Sequence, residues 1–257
     1  MVTDSFFRVS AAALCRVIFP HPQTGVMQLA LERRNSGPKD SGRVHAQPFG
    51  GALRLLDPAG FREAVGDFSY DSVRSSEEQD LRILIPPPAW NTVRSFILAQ
   101  MQSGQPQVIE TDPCRELEEE FSESVGITLL PEQYSYRPVG ISVQDRPAPT
   151  TNRRLPGAST VRIYRIFEVV IRDHGIHEVL SEKSRRFTDE EMHALAEADS
   201  ARGGTGRANG VLVLPMDEVR NACQGIHSSE EIHPLLIRGH FLDPTSFVLF
   251  EETHKWI

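Results

Sequence analysis

The sequence predicts an α+β domain. Three observations carry that expectation: segments of strand-forming residues joined across short turns, helix starts marked by capping residues, and a composition able to bury a large core. Residues 12–19 and 26–31 flank a Pro/Gly turn at 21–25, the pattern of a first hairpin. Residues 35–42, rich in Gly, Pro, Asn and Ser, predict a loop. Pro48-Phe49-Gly50-Gly51 follows, leading into the largely apolar run 52–56, read as a strand. Residues 58–108 differ in character, with Asp, Glu, Ser and Arg crowded between 67 and 80 and a triple proline at 86–88, and predict an insertion. Within it Trp90, Val93, Phe96, Ile97 and Met101 recur at helical spacing, so one helix should pack back on the main body.

Asp112 followed by Pro113 offers an N-cap acceptor and a first helical residue that needs no amide hydrogen, and the helix should run to 124 with Gly126 ending it. Residues 134–143 read as a strand and 145–157 as a loop. Residues 161–172, rich in β-branched side chains, predict a strand that turns at His174-Gly175 into a partner at 176–184, a second hairpin. Thr188 with Glu191 forms a capping box opening a helix to 198. A Gly-rich loop at 202–210, a strand at 211–214, Pro215 and a helix at 217–223 follow, with another capping-box pair at Ser228 and Glu231. The 257 residues, with no repeat at a fixed period, read as one elaborated domain over 1–257.

Charge and cysteine usage narrow the function. The formal charge is -8, from 27 Lys plus Arg against 35 Asp plus Glu, which excludes the basic footprint of a duplex nucleic-acid binder. No segment has the length and apolarity of a membrane span, and the apolar patch at 11–15 is interrupted by Asp4, Arg8 and Arg16, so it reads as a first strand and not as a signal peptide. Cys15, Cys114 and Cys223 are odd in number and never pair at metal-ligand spacing, which points to a reducing, cytoplasmic setting.

The segment Arg115-Glu116-Leu117-Glu118-Glu119-Glu120-Phe121-Ser122-Glu123 carries the chemistry. On a helix Glu116, Glu119, Glu120 and Glu123 share an arc of roughly 100°, while Cys114, Leu117, Phe121 and Val125 form the opposite, apolar stripe. Like charges this close oppose helix formation, and a hard divalent cation such as Mg²⁺ or Mn²⁺ would offset that, taking oxygen ligands while keeping several waters. A solvated acidic face near a helix N-terminus is the other reading.

This segment resembles the signature of the Nudix hydrolases: Gly, five residues, Glu, seven residues, then Arg-Glu-aliphatic-any-Glu-Glu-any-Gly-aliphatic. Arg115 to Glu120 matches the core of that signature at every position, Gly50-Gly51 is similar to its glycines, and residues 211–219 are similar to the strand, proline and Asp-Glu-aliphatic helix start that often closes the domain. The resemblance implies an α/β/α sandwich with a mixed sheet, here with an inserted helical segment. It implies a metal site at Glu116, Glu119 and Glu120, with Arg115 bracing the glutamates and Gly50 and Gly51 allowing close approach; Glu123, on the same acidic face but outside the signature, offers a fourth ligand. The activity implied is Mg²⁺-dependent hydrolysis of a small-molecule diphosphate, commonly a nucleoside diphosphate derivative. The chain departs from the signature at two places. Residues 58–114 stand where the family has seven, leaving either Asp57 or Glu110 for the first acidic position, and Phe121-Ser122-Glu123-Ser124-Val125 delays the glycine to Gly126. The alternative reading is therefore a catalytically degenerate Nudix-like domain that binds a nucleotide-like ligand or a protein partner.

Other signals are weaker. Gly203-Gly204-Thr205-Gly206 lacks the Lys-Ser/Thr of a P-loop and reads as a loop. His174 and His177 read as exposed turn residues. The doublets Arg33-Arg34, Arg153-Arg154 and Arg185-Arg186 are candidates to meet phosphate, and Trp90 with Phe96 offers a homodimer contact.

Overall fold

The computed structural model describes residues 6–35, 43–105, 107–149, 155, 158–224 and 235–250. The chain begins with the expected hairpin, β1 (Phe7–Pro20) and β2 (Met27–Asn35), antiparallel with Val17 opposite Ala30. β3 (Val44–Gln47) adds antiparallel to the far end of β2. The predicted loop 35–42 lies outside the described residues except for Asn35, which ends β2.

Residues 58–108 are woven into the main sheet. They hold α1 (Pro58–Val65), the short β4 (Ser69–Tyr70), α2 (Val73–Glu77), β5 (Arg82–Ile85) and α3 (Trp90–Ser103). β5 pairs antiparallel with the start of β1, Phe7 opposite Ile85. The α3 stripe is core: Trp90, Val93, Ile97 and Met101 are buried, and Phe96 stacks edge-on against Phe61 of α1.

The acidic segment forms α4 (Cys114–Glu120), continued by a π turn over Phe121–Val125 and stopped by Gly126 at φ 69°. The expected stop appears, and the start falls one residue later than expected: Pro113 is the N-cap, and Asp112 Oδ1 accepts the Cys114 amide hydrogen at 3.0 Å. Next come β6 (Tyr134–Pro149) and β7 (Ser159–Ile171), which form the second hairpin. This corrects the expected pairing of 161–172 with 176–184, and β6 also runs through the first part of the expected loop at 145–157. Residues 176–184 belong to α5 (His174–Arg186), because Asp173 caps the Ile176 amide at 3.1 Å and Ile176 and Leu180 meet the core one turn apart. His177 is likewise not an exposed turn residue. It is 2% exposed, stacks on Phe19 and makes a hydrogen bond through Nε2 with the Ile171 carbonyl at 2.9 Å.

Thr188 caps α6 (Asp189–Ala201), and β8 (Ala208–Pro215), α7 (Met216–Gln224), β9 (Leu235–Ile237), β10 (His240–Leu242) and α8 (Thr245–Val248) complete the described chain. The Ser228–Glu231 pair lies outside the described residues.

The strands make one mixed sheet, antiparallel apart from β1 with β7 and β3 with β10. Alternate residues of β1 explain why helices cover both faces. Val9, Ala11, Ala13, Cys15, Val17 and Phe19 point into a core closed by α1, α3, α4 and α5, while Ala12, Leu14 and Ile18 point into a second core closed by α7 and α8. Among the described residues no helix is long and apolar enough to cross a membrane.

One edge of β1 lies along β7 for its full paired length, and the other is divided. Its first residues pair with β5 and its last with β2; between them residues 49–53 bond to it, with the Ala13 amide donating to the Gly51 carbonyl and the Leu53 amide to the Ala11 carbonyl, both at 3.0 Å. The stretch expected as a strand at 52–56 is thus a series of isolated bridges. Gly50 and Gly51 sit in this gap, where α4 crosses the sheet.

Candidate functional site

Both glycines are required sterically. Gly50 has φ 125°, and a Cβ there would overlap the Ala13 carbonyl; a Cβ on Gly51 would overlap the Glu116 carboxylate. The backbone therefore passes close under α4, and Glu116 and Glu120 reach down on either side. Leu117 and Phe121, both fully buried, hold the helix in place, with Phe121 against Phe49 at 4.9 Å between ring centroids.

Arg115 is the brace of the site. It grips Glu110 with two bonds, Nε to Oε1 at 3.0 Å and an Nη to Oε2 at 2.7 Å, and donates to Glu116 at 2.5 Å and to the Ala52 carbonyl at 3.1 Å. Glu119 lies at the limit of contact, 3.5 Å away. Glu110, not Asp57, is thus the acidic partner of Arg115; Asp57 instead caps α1 by accepting the Gly60 amide at 2.9 Å. Burial opposes the charge on Arg115, and its bonds to Glu110 and Glu116 outweigh that, raising its pKa.

The four acidic positions separate into different environments. Glu116 is mostly buried, and desolvation pushes its carboxyl above the usual range despite Arg115. Glu119 is more than half exposed on the same side of the helix. Glu120 is turned inward, at 6% exposure, and accepts the Gly50 amide hydrogen and an Arg34 Nη at 3.0 Å. Glu123, beyond the start of the π turn, is exposed.

Sequence reasoning missed the group beneath Glu120. Glu32 of β2 is fully buried, accepts from Ser124 Oγ at 2.8 Å and Gln47 Nε2 at 3.0 Å, and pairs with Arg34 at 2.5 Å. Arg34 therefore bridges two buried carboxylates. Burial first, and the Glu32 charge second, push the Glu120 carboxyl well above its ordinary value, with Arg34 and the Gly50 amide opposing. The signal was a glutamate at the start of the polar end of β2, next to the Arg33-Arg34 doublet. Arg33 leads away from the site, pairing with Asp189 and the Phe187 carbonyl; Arg185 and Arg186 lie at the end of α5, and Arg153-Arg154 fall outside the described residues.

Glu116 and Glu119 open onto a polar cleft of about 170 Å³. Its other lining comes from Arg54, from Arg74 and Glu78 at α2, from Asp80 and Arg82 at the start of β5, and from Arg115. Asp80 is 4% exposed; burial raises its carboxyl, and the neighbouring Arg82 opposes that. A larger recess of about 360 Å³ lies beside the β1–β2 turn and α5, and no carboxylate lines it. Among the described residues no three His, Cys, Asp or Glu side chains come together as a ready-made cation cage. Gly203 to Gly206 turn back on α6, where Asp199 accepts the Gly206 amide hydrogen.

The arrangement can hold a small, highly charged ligand between carboxylates and guanidinium groups, with its backbone floor fixed by two glycines. Comparison with known protein families, with characterised proteins and with solved structures finds no match to this chain.

Proposed function

We propose that the chain is a hydrolase of the Nudix type, an α/β/α sandwich that cleaves the diphosphate linkage of a nucleoside diphosphate derivative with the help of Mg²⁺ or Mn²⁺. The observation that carries this reading is the placement of Glu116: braced by Arg115, fitted over the one residue without a Cβ that leaves it room, and opening with Glu119 onto an arginine-lined cleft. The donor chemistry fits such an ion. Two carboxylates share the cleft, and Mg²⁺ commonly uses one or two carboxylates, substrate phosphates and waters in place of an all-protein cage. Glu116 and Glu119 would hold it, and the raised carboxyl of Glu116 reports a charge that the protein alone compensates incompletely. When bound, the ion supplies charge neutralisation at the phosphates and a water of lowered pKa.

The protein's own groups do the positioning. Arg115 fixes Glu116 through the Glu110 fork, so its carboxylate does not turn away when a phosphate enters. Glu120 serves beneath the site, tying the Gly50 backbone and α4 to Arg34. In hydrolysis a water oxygen bonds to one phosphorus as the bridging P–O bond breaks, the bridging oxygen departs on the other phosphate with the electron pair, and the water gives up a proton to solvent or to that departing oxygen.

Release of phosphate-containing product from a panel of nucleoside diphosphate derivatives should require Mg²⁺ or Mn²⁺ and vanish in Glu116→Gln and Glu119→Gln. Turnover surviving both substitutions refutes the proposal. The inward turn of Glu120 favours a second reading, a Nudix-like domain that binds without catalysis. A melting temperature raised by ligand, with no turnover across the panel, would select it.

A further inference from the structure

We propose that Arg54, Arg74 and Arg82 form a phosphate-binding wall, and that recognition by this site ends at the phosphates, leaving the organic group outside. The inference rests on the diphosphate reading above and adds what the charged segment between 67 and 82 is for. Among the described residues each of these arginines is anchored through one guanidinium nitrogen: Arg54 Nε to the Glu78 carbonyl at 3.2 Å, Arg74 Nε to Glu78 Oε1 at 2.8 Å, and an Arg82 Nη to Asp80 Oδ2 at 3.1 Å. A guanidinium carries five N–H donors in a planar fork, so anchoring at one nitrogen orients the group and leaves the rest to meet phosphate oxygens in pairs. Arg115 is different, since Glu110, Glu116 and the Ala52 carbonyl already occupy it.

Among the described lining residues four arginines, counting Arg115, stand with four carboxylates, so the cleft is formally neutral until a cation enters it. Outside α4 two carboxylates, Glu78 and Asp80, line the cleft, and three arginines stand with them. A divalent cation held by Glu116 and Glu119 would leave this cleft with a positive excess, which suits an anion that meets the three arginines and that cation together. Size limits what enters. Sites that enclose a drug-sized ligand occupy roughly 300–1,000 Å³, whereas this cleft offers about 170 Å³ and is lined by charged side chains alone. It has space for a compact polyanion, and among the described residues it has no apolar wall for a base or other ring.

Calorimetric titration tests this without turnover when the bridging oxygen of pyrophosphate and of ADP is replaced by a methylene group, so that neither ligand can be cleaved. These forms of pyrophosphate and ADP, and adenosine, are titrated, each with Mg²⁺, into the wild-type protein, Arg74→Gln, Arg82→Lys and, as a control on α5, Arg185→Gln. Arg82→Lys keeps a cation beside Asp80, and Arg74 is largely exposed, so both variants should fold; melting curves check that. The expected result is that pyrophosphate and ADP bind within about threefold of one another, adenosine does not bind, each arginine variant loses about tenfold in affinity, and Arg185→Gln is unchanged. Arginine variants that bind like wild type, adenosine binding comparable to ADP, or no pyrophosphate binding by wild type overturns the inference. Binding losses without turnover refute the hydrolase reading alone. Turnover with KM unmoved in both arginine variants refutes the phosphate wall alone.

Discussion

Gly51→Ala isolates the contact on which the site depends. The backbone at 51 is not left-handed, so alanine meets no conformational penalty there; the three atoms nearest its Cβ all belong to the Glu116 carboxyl. That side chain must swing away, giving up its 2.5 Å bond to Arg115 in a setting where both groups are less than a fifth exposed. A hydrogen bond between charged groups contributes about 1.5–3 kcal/mol, and because Arg115 keeps its fork on Glu110 the lower half of that range applies. The melting temperature should fall by roughly 4–8 °C for a loss of about 2 kcal/mol in a domain of this size, with product release from the diphosphate panel abolished. The decisive assay is a double-mutant cycle by chemical denaturation. In a Glu116→Ala background nothing remains for the new methyl to displace, so Gly51→Ala should cost less than about 0.5 kcal/mol there. An equal cost in both backgrounds, or no cost in either, refutes the steric argument.

Arg115→Lys keeps the charge and loses the two-bond grip on Glu110, so the urea midpoint should drop by the equivalent of about 1.5–3 kcal/mol; an unchanged midpoint removes Arg115 as the brace. Arg34→Met leaves Glu32 and Glu120 buried without their shared cation. The Glu120 carboxyl is already raised in the fold, so its contribution is fully present at acid pH and is lost as pH rises through that raised value. Denaturation measured across pH should therefore find Arg34→Met most destabilised near neutrality and least near 4.5, and a loss independent of pH argues against the shared-cation role. Gly126→Ala forces a Cβ into a left-handed stop and should cost about 1 kcal/mol, with activity unaffected since the residue lines no part of the cleft; thermal denaturation together with the product-release assay checks both halves.

The β1–β2 hairpin, the α3 stripe, the capped start of α6 and the acidic helix with its glycine stop were all legible, because each rests on local periodicity or on one capping residue. α5 was misread although its signal was present: Asp173 is an N-cap, and Ile176, Val179 and Leu180 have helical spacing, but a Gly beside a His suggested a turn after a strongly β-forming segment. β5 is short and sits among charges, and its pairings with β1 and β4 make it a strand. The contents of the site divide the same way. The shared face of Glu116 and Glu119 was readable from helical spacing, Arg115, Gly50 and Gly51 from the resemblance, and Arg34 only as one of a basic doublet, whereas Glu32, Arg54, Arg74, Asp80 and Arg82 come from three separate segments that the fold brings together. The choice between Asp57 and Glu110 could not be made from sequence because both distances from Arg115 differ from the signature; the fork on Glu110 decides which one holds the arginine.

The divided edge of β1 has a consequence for how the protein can be made. Its neighbour on the undivided side, β7, pairs Phe7 with Ser159, so the central strand is completed by a contact between distant parts of the chain, the kind of topology that slows folding. A nascent chain that has emerged only as far as residue 150 already carries the acidic helix, both glycines and every arginine of the cleft. It lacks the strand that anchors β1 from behind. Truncated products ending there would expose a long unsatisfied edge of β1, prone to pairing with another chain, and would hold the chemistry of the site without its shape.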